Sequence, residues 1–300
     1  MREFFALSRI KHGMLDIAMP ALAILLQGIF PPVHILILTL FTGICGYISV
    51  YALNDLVGFK EDKQKFSKNI EYVGYSVETT EYHHPIARGL LSFRSGILWA
   101  AAWFLGAIIG SLLLNPIITV ILLAGGILEF VYCRLLKVTS YRVLLSGIVK
   151  TCGPCAALLA TSSSPSKEFF ILLFLWVFFW EIGGQNIPAD WNDMKEDQQL
   201  GAKTIPVCYG PRIAALIIIL SLIIAATLCC YLSFVVSSKF GYVHTIGAVC
   251  INFYLLIFPA VRLYKSQNGT QAVILFDKAS YYPLALLVWT LVIQAILQGF

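Results

Sequence analysis

The chain has 300 residues, of which 59% are hydrophobic and 12% charged, with a mean hydropathy of +0.81. Soluble domains carry about 25% charged residues, so a water-facing globule is excluded and the bilayer becomes the solvent. The formal net charge of +5 gives no pointer to nucleic acid, because the basic residues sit in short loops between apolar runs, where they report orientation.

Taken in order, the N-terminal MREFFALSRIKHG resembles the basic start of a secretory leader. Pro20, Pro31 and Pro32 interrupt the apolar stretch after it, and no small-residue cleavage pattern follows, so it is read as a retained first helix. Runs of about 20 apolar residues can cross a hydrocarbon core of roughly 30 Å as helices. Nine such runs are expected, at about 14 to 31, 34 to 54, 95 to 114, 117 to 136, 143 to 162, 168 to 189, 212 to 236, 243 to 263 and 280 to 299. Only helices satisfy their own backbone in lipid apart from closed barrels. The fold class is therefore an all-α, polytopic membrane helix bundle. No linker, low-complexity tail or internal repeat divides it, so residues 1–300 read as a single domain. The eight cysteines are scattered through apolar segments, which gives little support to a disulfide framework.

The charge distribution tests the span count. With a cytoplasmic N-terminus, the outer loops keep only Lys167 and Lys239 of the 21 Lys and Arg residues, and Lys150 falls inside a span. That asymmetry fixes number and direction together. Two loops then lie on the cytoplasmic side as expected caps: Asp55 to about Arg94, with FSKNIEYVGYSVETTEYHH at its centre, and Asp190 to Arg212.

Both caps begin with acids at the end of an apolar run. The stretch EIGGQNIPADWNDMKEDQQLGAKTIP carries Asp190, Asp193 and Asp197, whose spacings of three and four bring all three carboxylates to one helical face. Three like charges there repel unless a cation sits among them. In NDLVGFKED, Asp55 and Asp62 are two helical turns apart, with Asn54 beside them. Oxygen-only ligands suit a hard cation such as Mg²⁺, which is usually completed by substrate phosphates. Asn54, Asp55, Asp62, Asp190, Asp193 and Asp197 are the candidate metal ligands, with Asp55, Asp190 and Asp193 as catalytic candidates. Lys60, Arg88, Arg134, Lys137, Arg142, Lys150 and Lys203 are candidates for diphosphate binding. A solvated acidic loop is the plainer alternative. It suits the alternating charges of residues 60 to 68 and suits Asn54, Asp55 and Asp190 poorly, since ionisable groups at the ends of apolar helices are costly.

These residues carry a resemblance. The chain resembles the UbiA family of intramembrane prenyltransferases, whose motifs NDxxDxxxD and DxxDxxxD, followed by a Gly, Lys/Arg, Thr and Pro signature, match NDLVGFKED, DWNDMKED and GAKTIPVCYG (Gly201, Lys203, Thr204, Pro206, Gly210). The resemblance implies that the two motifs hold Mg²⁺ and bind a polyprenyl diphosphate, and that a prenyl group passes to an aromatic or lipid acceptor within membrane lipids, releasing diphosphate. It also implies a multi-pass protein of a bacterial-type inner membrane. Gly58 stands where the family has a central Asp, and His84 stands where RPxxxG has Arg. The compact second motif is more similar to members acting on lipid or chlorin-type acceptors than to the 4-hydroxybenzoate enzymes.

Four ionisable residues fall within the spans: Asp16, Glu129, Lys150 and Glu181. Each is expected at a functional or paired interior position. Lys150 is read as a phosphate contact or a partner for Glu181 or Glu129. Glu181 precedes Asp190 by nine residues, about half a turn out of phase on a straight helix, so it need not share that site. Cys152-Gly-Pro-Cys155 copies a redox tetrapeptide but lies inside an apolar span, where Pro154 reads as a kink. Two alternatives remain open at this level: a secondary transporter, which predicts ionisable groups near mid-membrane, and a prenyl-binding protein that has lost catalysis through Gly58.

Overall fold

The computed structural model describes residues 2–28, 31–67, 84–162, 165–235 and 237–297, without the side chains of 65–67 and 237–241. The centre of the long loop expected to cap the mouth lies outside the described residues. Those residues form helices joined by short turns, and nine helical stretches among them are long and apolar enough to span a membrane.

The N-terminal segment is broken into three pieces, the last two of which form the first span, Ile10–Gln27. Helix α1 (Arg2–Leu7) is followed by α2 (Ile10–Asp16) and α3 (Ala18–Gln27), with Arg9 in the left-handed region at φ 44° between the first two. Helix α4 (Val33–Val57) ends on the first acidic stretch, and α5 (Phe59–Ser67) carries the rest of it. Helices α6 (Phe93–Leu114) and α7 (Pro116–Arg134) are joined by Asn115, whose side-chain oxygen accepts from the Ile117 N–H at 3.0 Å while Pro116 takes the first helical position. Then come α8 (Arg142–Thr161) and α9 (Lys167–Trp180). The sixth span continues through a π-helical turn, Glu181–Asn186, into α10 (Ile187–Asn192), and α11 (Met194–Leu200) follows outside it.

Helix α12 (Ile205–Val235) starts at Ile205, seven residues before the expected 212, because its chain passes Pro211 through a bend at Gly210 with φ 78°, a conformation glycine allows. The eighth span runs through α13 (Ser237–Asn252), a second π turn at Phe253–Ile257 and α14 (Phe258–Ser266). The last, α15 (Gly269–Leu297), begins eleven residues before the expected 280. Its early turns include Lys278, whose ammonium lies 3.9 Å from the Tyr254 ring centroid. That contact lets a cation sit in a helical turn that its charge suggests is loop.

The packed core lies between α9, α12, α14 and α15, where Trp176, Trp180 and Tyr282 are buried. Their polar atoms are satisfied inside it: the Trp176 Nε1–H donates to the Tyr282 hydroxyl at 3.1 Å, and the Trp180 Nε1–H to the Ala279 carbonyl at 3.1 Å. Large apolar side chains such as Ile37, Leu98, Ile127 and Leu220 are exposed on the outside, as a lipid-facing surface requires. Helices α2, α4, α7 and α8 enclose the other side of the bundle, where they leave a cavity.

Candidate active site

The cavity measures about 400 Å³ and is lined from Thr39 to Gly58 along the α4 side. Nineteen residues at 1.5 Å rise make that length ~28 Å, close to the hydrocarbon thickness of ~30 Å. Its far end is apolar, bounded by residues such as Leu114, Ile118 and Ala160, and its mouth carries Asn54, Asp62, Asp190, Asp193 and Asp197. Both acidic stretches therefore meet at one end of the bundle around one cavity.

Neither stretch is a single straight helix, contrary to the spacing argument. Gly58 separates α4 from α5, and Asp193 (φ −87°, ψ 6°) separates α10 from α11. Other contacts hold the acids together. The His84 Nδ1 lies 3.2 Å from Asp55 Oδ1 and 3.1 Å from Asp62 Oδ2, so one imidazole bridges the first stretch. Burial alone would lower its pKa, but the Asp62 and Asp55 charges outweigh this and raise it to about 10, so His84 is an imidazolium at neutral pH. Asp55 also receives the Arg9 Nη2 at 3.3 Å. With only 4% of its surface exposed, Asp55 lies behind the cavity wall and is not among the lining residues. Asn54 does line it, with its side-chain N–H donating to Glu129 Oε1 at 2.7 Å.

The second stretch is tied to α8. Arg142, buried beside the mouth, donates to Asp190 Oδ1 at 2.7 Å and stacks over the Tyr132 ring at 4.5 Å. The Tyr132 hydroxyl in turn accepts from the Asn186 side chain at 2.8 Å. The Arg142 Nε and the Asn186 Oδ1 are buried without a hydrogen-bond partner, so donor and acceptor capacity remains for a ligand.

The predicted cations divide into two sets. Arg142 and Lys150 line the cavity. Lys60, Arg88, Arg134, Lys137 and Lys203 are exposed and outside the lining, with Lys137 3.9 Å from Glu61 and the Lys203 backbone N–H donating to the Leu136 carbonyl at 2.7 Å. Arg9 and His84 line the mouth in their place. Arg9 counted only toward topology in the sequence, and His84 only as a departure from a motif. His84 lies 22 residues after Asp62 in the sequence, so nothing local signalled its place between the acids of the first stretch.

Glu181 departs from expectation in the other direction. Nine straight-helix residues would put it about half a turn from Asp190, yet both line the cavity. The π turn between them adds one residue to the helix and moves the phase by about 100°. Gly183 and Gly184 let that widened turn fit its neighbours: a Cβ at Gly183 would meet the Ile218 carbonyl at 2.9 Å, and one at Gly184 the Ala279 methyl at 2.9 Å. Deeper in the cavity, Lys150 Nζ lies 2.6 Å from Asp16 Oδ1 and 3.8 Å from Glu181 Oε2. Cys152 and Cys155 are free thiols, and α8 runs unbroken through Pro154.

The oxygen donors at the mouth fit a hard divalent ion. Among the described residues, no three His, Cys, Asp or Glu side chains form a finished metal cage. Mg²⁺ bound by one or two carboxylates, with waters and substrate phosphates completing its shell, needs none.

The sequence model of the UbiA prenyltransferase family matches residues 17–292. The chain belongs to the UbiA prenyltransferase family. Its fold agrees: an apo UbiA homolog from Aeropyrum pernix K1 superposes with TM-score 0.74 at 16% identity, covering 94% of this chain and 98% of that one. A UbiA homolog from Archaeoglobus fulgidus bound to GPP and Mg²⁺ gives 0.71 at 16% identity, with 98% and 99% covered. A digeranylgeranylglyceryl phosphate synthase from Methanopyrus kandleri is 29% identical over 132 residues, 43% of this chain and 47% of the relative. The chain thus spans about half the length of that curated relative. As a UbiA-family member with nine apolar helices among its described residues, it is a multi-pass integral membrane protein.

Proposed function

We propose that this UbiA-family protein transfers a prenyl group from a polyprenyl diphosphate to a lipid alcohol of the glyceryl phosphate class, with Mg²⁺, releasing diphosphate. The observation that carries this reading is the polarity of one cavity. An acidic mouth with buried cations opens into one cavity, in all about as long as the bilayer core is thick, whose far end is apolar. A diphosphate with a hydrocarbon tail has that same division of polarity.

In this reading Asp62, Asp190, Asp193 and Asp197, with the Asn54 amide oxygen, would hold the metal. Asp55 acts from behind by fixing Arg9 and His84. Bound Mg²⁺ would supply Lewis-acid neutralisation of the charge developing on departing diphosphate. Arg142, with its unpartnered Nε, and Arg9 would add fixed positive charge where that charge appears. The apolar walls of α4, α7 and α8 would align the tail and keep water from the allylic carbon. Lys60, Arg88, Arg134, Lys137 and Lys203 would act at longer range on the approach of the anion. The bias of Lys and Arg toward one set of loops supports a mouth facing the cytoplasm, and the continuity of the cavity across the bundle supports one domain over 1–300.

The M. kandleri relative is a digeranylgeranylglyceryl phosphate synthase, a product name that implies a singly prenylated glyceryl phosphate acceptor. Purified protein incubated with Mg²⁺, labelled geranylgeranyl diphosphate and acceptors of the geranylgeranylglyceryl phosphate, phenolic, naphthoic and chlorin classes would be assayed by mass spectrometry. Transfer to the glyceryl lipid with Mg²⁺-dependent diphosphate release is expected. Exclusive transfer to an aromatic acceptor would overturn the acceptor class, and no transfer to any would overturn the activity.

A further inference from the structure

A second polar centre lies deeper in the same cavity. It joins three separate spans: Asp16 from α2, Lys150 from α8 and Glu181 at the start of the π turn. Asp16 is saturated. It receives hydrogen bonds from Lys150 at 2.6 Å and from the Tyr51 hydroxyl, with His12 Nε2 3.7 Å away. Glu181 is not. Its Oε1 accepts from the Ser146 hydroxyl at 2.7 Å, but its Oε2 has no hydrogen-bond partner although the residue is only 7% exposed. An unsatisfied carboxylate oxygen at this depth is costly, and this one faces a cavity built to hold a ligand.

Its depth matters. Ser146 and Lys150 lie four and eight residues beyond Arg142 on α8, so the centre sits ~6 to 12 Å below the guanidinium that marks the mouth. A diphosphate held at the mouth leaves its allylic carbon just inside, between the two polar levels. A hydroxyl donating to Glu181 Oε2 would have its oxygen directed toward that carbon.

We propose that Glu181 is the proton acceptor for the hydroxyl of the acceptor, with Ser146 and Lys150 as positioning residues that aim its free oxygen. The assignment rests on the prenyl-transfer reading above. In the step, the acceptor oxygen forms a bond to the allylic carbon as the bond from that carbon to the diphosphate oxygen breaks. The hydroxyl proton passes to Glu181 Oε2, and the electron pair of the broken bond leaves with diphosphate. The class of acceptor that fits is an uncharged aliphatic hydroxyl at this depth, because Asp16 and Glu181 already outnumber the one ammonium. The charged and titratable groups around Glu181 are Lys150 from α8, Asp16 and His12 from α2, Tyr47 and Tyr51 from α4 and Glu129 from α7. The residues of α12 and α15 packed against Gly183 and Gly184, namely Ile218, Ser221, Leu222 and Ala279, bring none.

The test compares unaltered protein with E181Q, E181D and S146A, using labelled geranylgeranyl diphosphate, Mg²⁺ and geranylgeranylglyceryl phosphate. E181Q should bind the diphosphate as the unaltered protein does yet transfer on the order of 10²–10⁴-fold more slowly, while E181D recovers part of the rate. The unaltered enzyme should lose rate at acid pH along a limb that E181Q lacks. Equal rates in E181Q and unaltered protein would overturn the assignment alone, whereas no transfer by unaltered protein would overturn the parent reading and this one with it. If E181Q does not fold, S146A decides: the acid limb should shift with diphosphate binding retained, and an unmoved limb overturns the proposal.

Discussion

The two acidic stretches look alike in sequence and differ in structure. In the second, Asp190, Asp193 and Asp197 all line the cavity, and Arg142 meets one of them from a neighbouring span. In the first, Asn54, Gly58, Glu61 and Asp62 reach the lining, with Glu61 3.9 Å from Lys137, while Asp55 is turned behind the wall onto Arg9 and His84. Gly58, at the break between α4 and α5, brings no carboxylate to the first stretch. One stretch thus offers three carboxylates to the cavity, and the other offers two, Glu61 and Asp62, with one amide and an imidazolium clamp. An acidic motif is therefore not a unit of metal binding. What counts is how many of its oxygens the protein has left to the cavity.

That asymmetry is broken most directly at the second stretch. Asp190→Ala and Asp193→Ala should each reduce prenyl transfer by at least ~10²-fold, measured as labelled lipid product at saturating Mg²⁺. Full retention in either variant would remove the second stretch from the site. The next largest effect is expected at the partner. Arg142→Met strands the Asp190 charge beside the mouth, a loss of about 3–5 kcal/mol where a buried pair is broken. Thermal unfolding in detergent should show a lower midpoint in metal-free protein, with part of the loss recovered by Mg²⁺. A lowered midpoint that Mg²⁺ leaves unchanged would mean that Arg142 holds the fold and has no share in the metal site.

The first stretch can be made more like the second. A Cβ at Gly58 would lie 3.1 Å from the Asn54 carbonyl and 3.2 Å from Asp62 Oδ2. Gly58→Asp therefore sets a second carboxylate beside Asp62. Like charges there should lower the metal-free midpoint and increase the rise produced by Mg²⁺, since a divalent ion between them reverses the repulsion. Asp55→Asn, by contrast, acts on the side-chain contacts to Arg9 and His84. It should cost transfer about tenfold, within the range for residues that orient a site from behind, while the Mg²⁺ concentration for half-maximal rate changes less than in Asp62→Asn. The reverse order would place Asp55 directly on the ion.

The spans and the acids were legible in the sequence because each depends on local composition: an apolar run has one fate in lipid, and a carboxylate at its end is conspicuous. The breaks were less so. Gly183-Gly184 carries no sign that a π turn forms there, since the turn is fixed by the close approach of Ile218 and Ala279, and with it goes the placement of Glu181 in the same cavity as the acids of the mouth. The start of α15 was hidden for a similar reason, because Asp277 and Lys278 read as loop until Tyr254 is seen under the ammonium. Cations were the least legible of all. A long basic side chain near a helix end can turn inward or snorkel outward, and only the fold decides.

The smallest expected effects follow from that same distinction. Lys60, Arg134 and Lys203 are exposed, so solvent and salt screen their charge from a diphosphate in the cavity over about 8 Å at physiological ionic strength. Each changed singly to Ala should alter kcat less than twofold. Their remaining contribution is to the field that guides an anion to the mouth, which acts on association and weakens with salt. A triple Lys60, Arg134 and Lys203 to Ala variant should therefore reduce kcat/KM severalfold at low ionic strength and converge on the unaltered protein as salt is raised. Arg142→Lys should keep its deficit at every salt concentration, because a buried guanidinium held at 2.7 Å from Asp190 is not replaced by a point charge. A deficit in the triple variant that persists at high salt would show that one of these side chains reaches the diphosphate itself.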